Sequence, residues 1–229
     1  MGFWSRIAIV VAAPLLLAGC LLTPGRFTSD MTVRADRSFS FAYKGEVIAI
    51  DPGESMTGGL STSTSAEETA ASRTEKARKA AELETKRRAV AEALAKEAGY
   101  RSVRYLGGGR YMIDFAIQGR LDHGFVYPFN TDAEVVFPFI AAELRGDGTI
   151  RVKAPAFGKP SGGSGGMESM PGMPDSADQR DGSFTFSTDA EIVMHNNEAG
   201  VTQSGGMKVL TWRITPLTKD APTAVVRVR

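Results

Sequence analysis

The amino-acid sequence predicts an α+β protein: a mostly antiparallel β-sheet with one long, largely solvated helix inserted between its early and later strands. Three observations lead to this prediction. Polar and apolar residues alternate through most of the chain after residue 26. One segment rich in Ala, Glu, Lys and Arg interrupts that alternation. Glycine-containing turns separate the later alternating segments. The periodicity does not distinguish an open sheet from one that curls into a barrel.

The first two strands are expected to form a hairpin. Residues 27–33 alternate between polar and apolar side chains, and the aromatic residues of 39–43 fall on one face of a second strand. Gly45 then breaks the alternation before the apolar run 47–50. A glycine at such a position predicts a β-bulge.

The single predicted helix covers residues 66–98. Ser65 and Glu68 fit a capping box at its start, and Gly99 fits its end. Its large apolar residues are Leu83, Val90 and Leu94. Such a helix packs along one narrow seam, and its first half is expected to stand free of the body. A coiled-coil dimer is the alternative, but three large apolar residues do not sustain several heptads.

The rest of the chain is predicted to be β-structure with one long loop. The predicted strands cover residues 103–106, 111–118, 125–127, 135–144, 149–154, 184–194, 210–214 and 223–228. Pro138 lies inside one of them and indicates an edge strand or a kink. Residues 155–182 hold seven Gly and four Pro, which predicts a disordered loop.

Composition excludes several classes of function. The chain carries 27 Lys and Arg against 26 Asp and Glu, and it lacks the basic excess that nucleic-acid binding requires. A single Cys excludes an intramolecular disulfide and a cysteine-built zinc site. The sequence contains no Gly-x-Ser-x-Gly elbow, no His-Glu-x-x-His and no phosphate loop. We therefore expect neither enzymatic activity nor a cofactor.

The first twenty residues have the organisation of a secretory signal. Arg6 precedes an uncharged apolar run, 7–18, which is shorter than the roughly 20 residues of a membrane span. The segment Leu17-Ala18-Gly19-Cys20 resembles the lipobox of bacterial lipoproteins. That resemblance implies cleavage between Gly19 and Cys20, transfer of a diacylglycerol to the Cys20 thiol and acylation of the new amino group. The alternative is an ordinary signal or anchor helix in which Cys20 is incidental.

The lipobox resemblance predicts both the organisation of the chain and its location. Residues 1–19 form the signal peptide, and residues 20–229 form one lipid-anchored domain. Stable attachment requires more than one acyl chain, which a di- or triacylated Cys20 supplies. Leu21 stands where lipoproteins retained in the inner membrane often carry Asp. The resemblance therefore favours the outer membrane, facing the periplasm.

The body of the chain resembles two groups of lipoproteins. The segments Gly119-Arg120-Leu121-Asp122-His123 and Gly146-Asp147-Gly148-Thr149 are similar to segments of uncharacterised proteobacterial lipoproteins. The order of elements also resembles the ectodomain of mycobacterial LppM-type lipoproteins, which implies contact with envelope lipids. Neither resemblance supplies a catalytic motif.

Two further groups of residues are candidates for chemistry. Met167, Met170 and Met173 recur at a spacing of three, and their soft thioethers could converge on Cu(I); a flexible Gly/Met/Pro linker is the alternative. His123 and His195 are the two histidines, and we expect both at the surface, because catalytic sites need a convergent cluster.

The sequence thus predicts a non-enzymatic, lipid-anchored envelope protein that binds a lipid or scaffolds another envelope protein. The alternatives are a periplasmic copper-binding lipoprotein and a hydrolase whose nucleophile cannot be named. A continuous apolar cavity would favour lipid binding, whereas a filled core would count against it.

Overall fold

The described part of the chain forms two mostly antiparallel β-sheets and one α-helix, and neither sheet closes on itself. The computed structural model describes residues 21–50, 70–128, 138–159 and 179–229. The predicted α+β class is confirmed. The strands form two open sheets rather than one sheet or a barrel.

The chain contributes twelve described strands, one α-helix and one short 3₁₀ helix. In chain order they are β1 (Leu21–Val33), β2 (Ser38–Ile50), α1 (Ala70–Leu94), β3 (Tyr100–Gly107), β4 (Arg110–Arg120), β5 (Gly124–Tyr127), β6 (Ile140–Leu144), β7 (Thr149–Lys153), η1 (Pro155–Phe157), β8 (Asp181–Thr188), β9 (Glu191–His195), β10 (Thr202–Ser204), β11 (Met207–Ile214) and β12 (Thr223–Arg227). The first sheet has the order β10-β11-β8-β1-β2-β4-β3, and the second has the order β5-β6-β7-β12-β9.

The predicted hairpin of β1 and β2 is confirmed, but its bulge lies on the other strand. The pairing of the two strands shifts between Pro24 and Phe27 of β1, opposite Gly45. A Cβ at Gly45 would lie 2.5 Å from the Cα of Phe27 and closer still to the carbonyl oxygen of Arg26. The glycine therefore gives the bulged strand the room that it needs.

The predicted long strand 184–194 is two strands in different sheets. β8 pairs in parallel with β1 in the first sheet, whereas β9 pairs with β12 in the second. The chain turns at Asp189, whose carboxylate accepts a hydrogen bond from the Ala35 amide at 2.7 Å. The Ala190 amide donates to the Thr188 hydroxyl at 3.0 Å. These polar contacts separate β8 from β9, although the alternation of polar and apolar residues continues through both strands.

The helix is shorter at its end than the sequence predicts. It ends at Leu94 rather than at residue 98, and residues 66–69 of the prediction lie outside the described part of the chain. Beyond Leu94 the backbone tightens, because the amides of Lys96 and Glu97 bond carbonyls three residues earlier. Gly99, with a φ of 91°, then turns the chain into β3.

Two predictions in the second half of the chain are corrected. β6 begins at Ile140, so Pro138 precedes the strand, and β6 lies between β5 and β7 rather than at an edge; residues 135–137 are not described. The predicted loop 155–182 is ordered at both ends, where η1 and the start of β8 are placed. Residues 160–178 of that loop lie outside the described chain.

Aromatic side chains occupy the space between the sheets. Phe41 and Tyr43 of the first sheet lie 5.0 and 5.4 Å, between ring centroids, from Tyr127 of the second. Phe27 stacks on Phe157 at 4.4 Å. The largest fully buried side chains are Tyr43, Phe41, Phe139, Phe157, Phe184, Phe186, Met31, Ile140, Ile150, Leu210, Ile214 and Val33. In this region the two sheets therefore share one side-chain core.

Candidate functional site

The candidate functional site is the end of the first sheet at which β1 begins, one residue after Cys20. Leu21 pairs with Ile50, the last residue of β2. The Ala49 amide donates to the carbonyl of Gly109 at 2.8 Å, which brings the β3–β4 turn to the same level. We call this region, formed by the start of β1, the end of β2 and the β3–β4 turn, the anchor-proximal end. Gly19 and Cys20 lie outside the described residues, so cleavage between them and lipidation of Cys20 remain predictions.

A buried carboxylate lies on the outer face of the sheet near this end. Glu46 is 5% exposed, although it is charged. Arg26 Nη2 donates to its Oε1 at 3.3 Å, and Arg110 Nη2 donates to its Oε2 at 3.1 Å. Gly25, in the bulge of β1, leaves room for it, because a Cβ there would lie 2.9 Å from the Cβ of Glu46. The bulge thus brings an arginine from one neighbouring strand to a carboxylate that β4 already contacts.

These contacts set the charge of the carboxyl. Burial raises the pKa of Glu46, but hydrogen bonds from Arg26 and Arg110 outweigh it and hold the pKa below its ordinary value. Glu46 is therefore ionised and paired at neutral pH. Its backbone carbonyl accepts a further hydrogen bond from the buried Tyr43 hydroxyl at 2.8 Å. The Glu46 cluster, comprising Glu46, Arg26 and Arg110, joins β1, β2 and β4 and has a structural role.

A tyrosine fixes the direction of α1 on the sheet. The Tyr105 hydroxyl donates to Glu84 Oε1 at 2.7 Å and accepts from the Gly109 amide at 3.1 Å. The hydrogen bond from Tyr105 lowers the pKa of Glu84. The Tyr111 hydroxyl donates to the carbonyl of Arg87 at 3.2 Å. Since α1 leads through Gly99 into the start of β3, it lies antiparallel to that strand.

The first half of α1 projects beyond the sheet. Residues 73–82 are exposed, whereas Val90 and Ala91 are buried. Residues 70–82, which we call the arm, precede the first contacts with Tyr105 and so lie on the far side of the β3–β4 turn. The expectation of a half-free helix agrees with this placement. No helix in the described part of the chain is long and apolar enough to cross a membrane.

The arm is basic. Arg73, Lys76, Arg78 and Lys79 stand against two glutamates in residues 70–82. Arg78 lies between both glutamates, at 2.9 Å from Glu75 and 3.2 Å from Glu82. These pairs at spacings of three and four stabilise the arm, which contains no large apolar residue.

The two histidines lie in separate parts of the second half of the fold. His123 is exposed in the connection between β4 and β5, where Asp122 pairs with Arg120 at 3.1 Å. His195 ends β9, and its Nδ1 accepts a hydrogen bond from the Asn197 amide at 3.2 Å. Among the described residues, no group of three or more His, Cys, Asp or Glu side chains could hold a metal ion.

The methionines proposed as copper ligands fall outside the described residues. Met167, Met170 and Met173 belong to residues 160–178, so their convergence on a metal ion stays a prediction from spacing.

Sequence reasoning missed the Glu46 cluster. One signal was present: Glu46 is a charged residue placed between Gly45 and the apolar run 47–50. Its partners are 20 and 64 residues away along the chain. Only the register of three strands brings them together, and alternation does not specify which strands are neighbours.

Comparisons with known proteins leave the chain without an assigned family. No family model matches it, and no curated protein sequence matches it. Two solved structures illustrate how distant the similarities of fold are. The folded domain of LppM from Mycobacterium tuberculosis is 15% identical, with a TM-score of 0.33, and the match covers 90% of this chain and 91% of that one.

The second similar structure is an M1 zinc metallopeptidase from Deinococcus radiodurans. It is 10% identical, with a TM-score of 0.29, and the match covers 90% of this chain but 42% of that one. At these TM-scores neither similarity supports an argument about function.

Proposed function

We propose that the protein is a non-enzymatic, lipid-anchored module of the bacterial cell envelope, attached through acylated Cys20 and scaffolding a second envelope component. The observation that carries this proposal is the direct junction between lipobox and fold. The segment Leu17-Ala18-Gly19-Cys20 ends where β1 begins at Leu21. Acyl chains on Cys20 would therefore hold a folded body at the membrane without an intervening linker. The residue at position 21 supports the outer membrane, facing the periplasm, as the location.

The position of β1 supports a scaffolding role. β1 is the fourth of seven strands in its sheet and pairs with β2 on one side and β8 on the other. The first residues after Cys20 pair with β2 alone, and from Arg26 onward β1 pairs with β8 as well, so the strand that would carry the anchor is fixed within the body.

The aromatic core favours scaffolding over carriage of a lipid inside the fold. Phe41 and Tyr43 each contact Tyr127 across the space between the sheets, and all three side chains are 2% exposed or less. A lipid chain would have to displace these rings. Lipid extraction of the purified protein is therefore expected to release the covalent acyl chains without a stoichiometric second lipid; a stoichiometric lipid would contradict the scaffolding proposal.

Mass spectrometry of the native protein tests the anchor. Trypsin should release a peptide from Cys20 to Arg26 that carries acyl mass on its first residue. Cys20→Ser should abolish that mass, because the variant has no thiol at position 20 to acylate. Thr28→Ser, a conservative change at an exposed position of the same strand, serves as the control and should keep it. An unmodified tryptic peptide that covers residues 7–26, and so still contains the residues before Cys20, would refute the proposal.

A further inference from the structure

The arm of α1 lies at the same end of the molecule as the residue that follows Cys20. Leu21 pairs with Ile50, the β3–β4 turn bonds to Ala49, and Tyr105 holds α1 beside that turn. α1 runs antiparallel to β3, so the residues before Glu84 extend past the turn and away from the body.

We infer that the arm is a docking element for an anionic phospholipid bilayer and lies along the headgroup layer to which the protein is anchored. This inference rests on the proposed function, because acylated Cys20 is what places the anchor-proximal end at a bilayer. It adds a second, electrostatic contact and a fixed orientation to an attachment made by acyl chains.

The length of the arm leads to this orientation. Arg87 lies level with Tyr111, and the 17 residues back to Ala70 span about 25 Å of helix. The strand from Tyr105 to the turn accounts for about 10 Å of this length. The arm therefore reaches roughly 10 to 15 Å beyond the sheet, which is more than the headgroup layer of about 5 to 8 Å.

The connection between acylated Cys20 and β1 is too short to hold the arm away from the bilayer. Cys20 and Leu21 are adjacent, so their Cα atoms are about 3.8 Å apart. With the strands upright, the arm would enter the hydrocarbon layer, where a helix that is polar on every side is strongly disfavoured. The body must therefore tilt until the arm lies in the headgroup layer.

Charge complementarity selects an anionic surface. The arm carries four Lys and Arg against two Glu, whereas the rest of the chain carries 23 Lys and Arg against 24 Asp and Glu. Arg73, Lys76 and Lys79 are exposed on the arm. Each such cation near an anionic surface strengthens attachment by about five-fold at physiological salt. Leu106, which is 47% exposed beside the β3–β4 turn, adds an apolar side chain at the same edge.

The experiment places a fluorescent probe on the arm of the acylated protein in vesicles. Because Cys20 is the single cysteine and its thiol is acylated, Ala77→Cys provides one reactive thiol on the arm. Gly146→Cys, in the exposed β6–β7 turn, provides the matched probe at the opposite end. The Val228 amide bonds to Gly148 of that turn, and the Arg229 amide bonds to Ala35, just beyond the far end of β1. Vesicles of phosphatidylcholine alone are compared with mixed vesicles containing phosphatidylglycerol, and both carry a nitroxide quencher on the headgroup.

We expect the arm probe to be quenched in mixed vesicles and the turn probe to remain bright. Replacing three cations (Arg73→Gln, Lys76→Gln and Lys79→Gln) should lower the ratio of docked to undocked arm by about 100-fold. Raising salt to about 1 M, where the Debye length is about 3 Å, should release the arm as well. Gln preserves helix propensity, and circular dichroism of each variant checks that α1 remains folded.

A second triple variant removes the same charge from the opposite end. Arg34→Gln, Arg145→Gln and Arg229→Gln change three exposed side chains near the end of β1 and the chain terminus. This variant should change the docking ratio by less than about five-fold, because these cations lie outside the headgroup layer. Equal effects of the two triple variants, or equal quenching in neutral and mixed vesicles, would overturn the inference.

The same samples separate the two proposals. If mass spectrometry finds acylated Cys20 and the arm does not respond to phosphatidylglycerol, the docking inference fails and the lipid anchor stands. If Cys20 carries no acyl chain, the anchor fails, and the unmodified chain is sedimented with mixed vesicles. Binding that the arm variant loses and the control variant keeps would then support docking, and no binding would overturn it.

Discussion

Replacing Glu46 with Gln should destabilise the protein by about 2 kcal/mol. Hydrogen bonds to charged groups contribute roughly 1.5 to 3 kcal/mol each, and Glu46 receives one from each of the Arg26 and Arg110 side chains. The Arg26 and Arg110 side chains are 73% and 45% exposed, so solvent screens both interactions and reduces their sum. Gln keeps the shape of the side chain but presents an NH₂ group to two arginine donors. For a chain of this length, the loss lowers the melting temperature by about 4 to 8 °C.

The pH dependence of this effect has a defined sign. The pKa of Glu46 in the folded protein is below its ordinary value of 4.5, so the folded state releases the proton more readily than the unfolded state. The stabilisation is fully present above the unfolded-state pKa and is lost as the pH falls through the folded-state pKa. The difference in stability between wild type and Glu46→Gln should therefore be constant near neutral pH and shrink as the pH falls below about 4.5.

Thermal unfolding, followed by near-ultraviolet circular dichroism at several pH values, measures this difference. Glu82→Gln is the matched control, because Glu82 lies 3.2 Å from Arg78 on an exposed helix surface. An exposed pair of this kind contributes about 0.5 kcal/mol or less. A loss for Glu46→Gln no greater than the control, or a difference that grows in acid, would refute the assigned role of the buried carboxylate.

The remaining predictions concern the bulge and the helix. Gly45→Ala should cost about 3 kcal/mol in urea denaturation, because the new Cβ meets the backbone of Phe27 at 2.5 Å. Gly119→Ala, whose Cβ meets only the Phe39 side chain at 3.3 Å, should change stability by less than about 1 kcal/mol, and equal losses would contradict the packing argument. Tyr105→Phe removes the 2.7 Å bond to Glu84 and should loosen α1 by about 1 kcal/mol, seen as faster amide hydrogen exchange in the helix; unchanged exchange would argue against this anchor.

Local patterns in the sequence were sufficient to predict most strands and the helix. The alternation around Phe41 and Tyr43 reports burial of one face, and the glycines of residues 107–109 supply three positive φ angles at the predicted turn. Such signals come from residues close together in the chain, so a single sequence contains them. The resemblance to a lipobox is also carried by four consecutive residues, and it stays a prediction.

Features that depend on distant residues were not predicted. The strand break at Asp189 depends on the Ala35 amide, which lies 154 residues away. Gly45 of β2 indicated a bulge, but the extra residue lies in β1. Either strand of a pair can carry the extra residue, so the glycine alone does not specify which one does. Strand order places Arg110 beside Glu46, and periodicity carries no information about order.

The distribution of charge over the folded protein is the clearest example of a property that the sequence alone does not reveal. The net charge of +1 indicates a chain without electrostatic attraction to a membrane, yet that sum combines an arm with two excess cations and a remainder with one excess anion. This separation of charge cannot orient the protein on a membrane unless the helix is fixed to the body. Tyr105 fixes it beside the β3–β4 turn, and the register of β1, β2 and β4 brings that turn level with Leu21. In the proposed docking, the excess cations of the arm face the bilayer and the acidic remainder lies farther away, where screening beyond about 8 Å weakens its repulsion. A nearly neutral protein can therefore adopt one orientation on an anionic membrane.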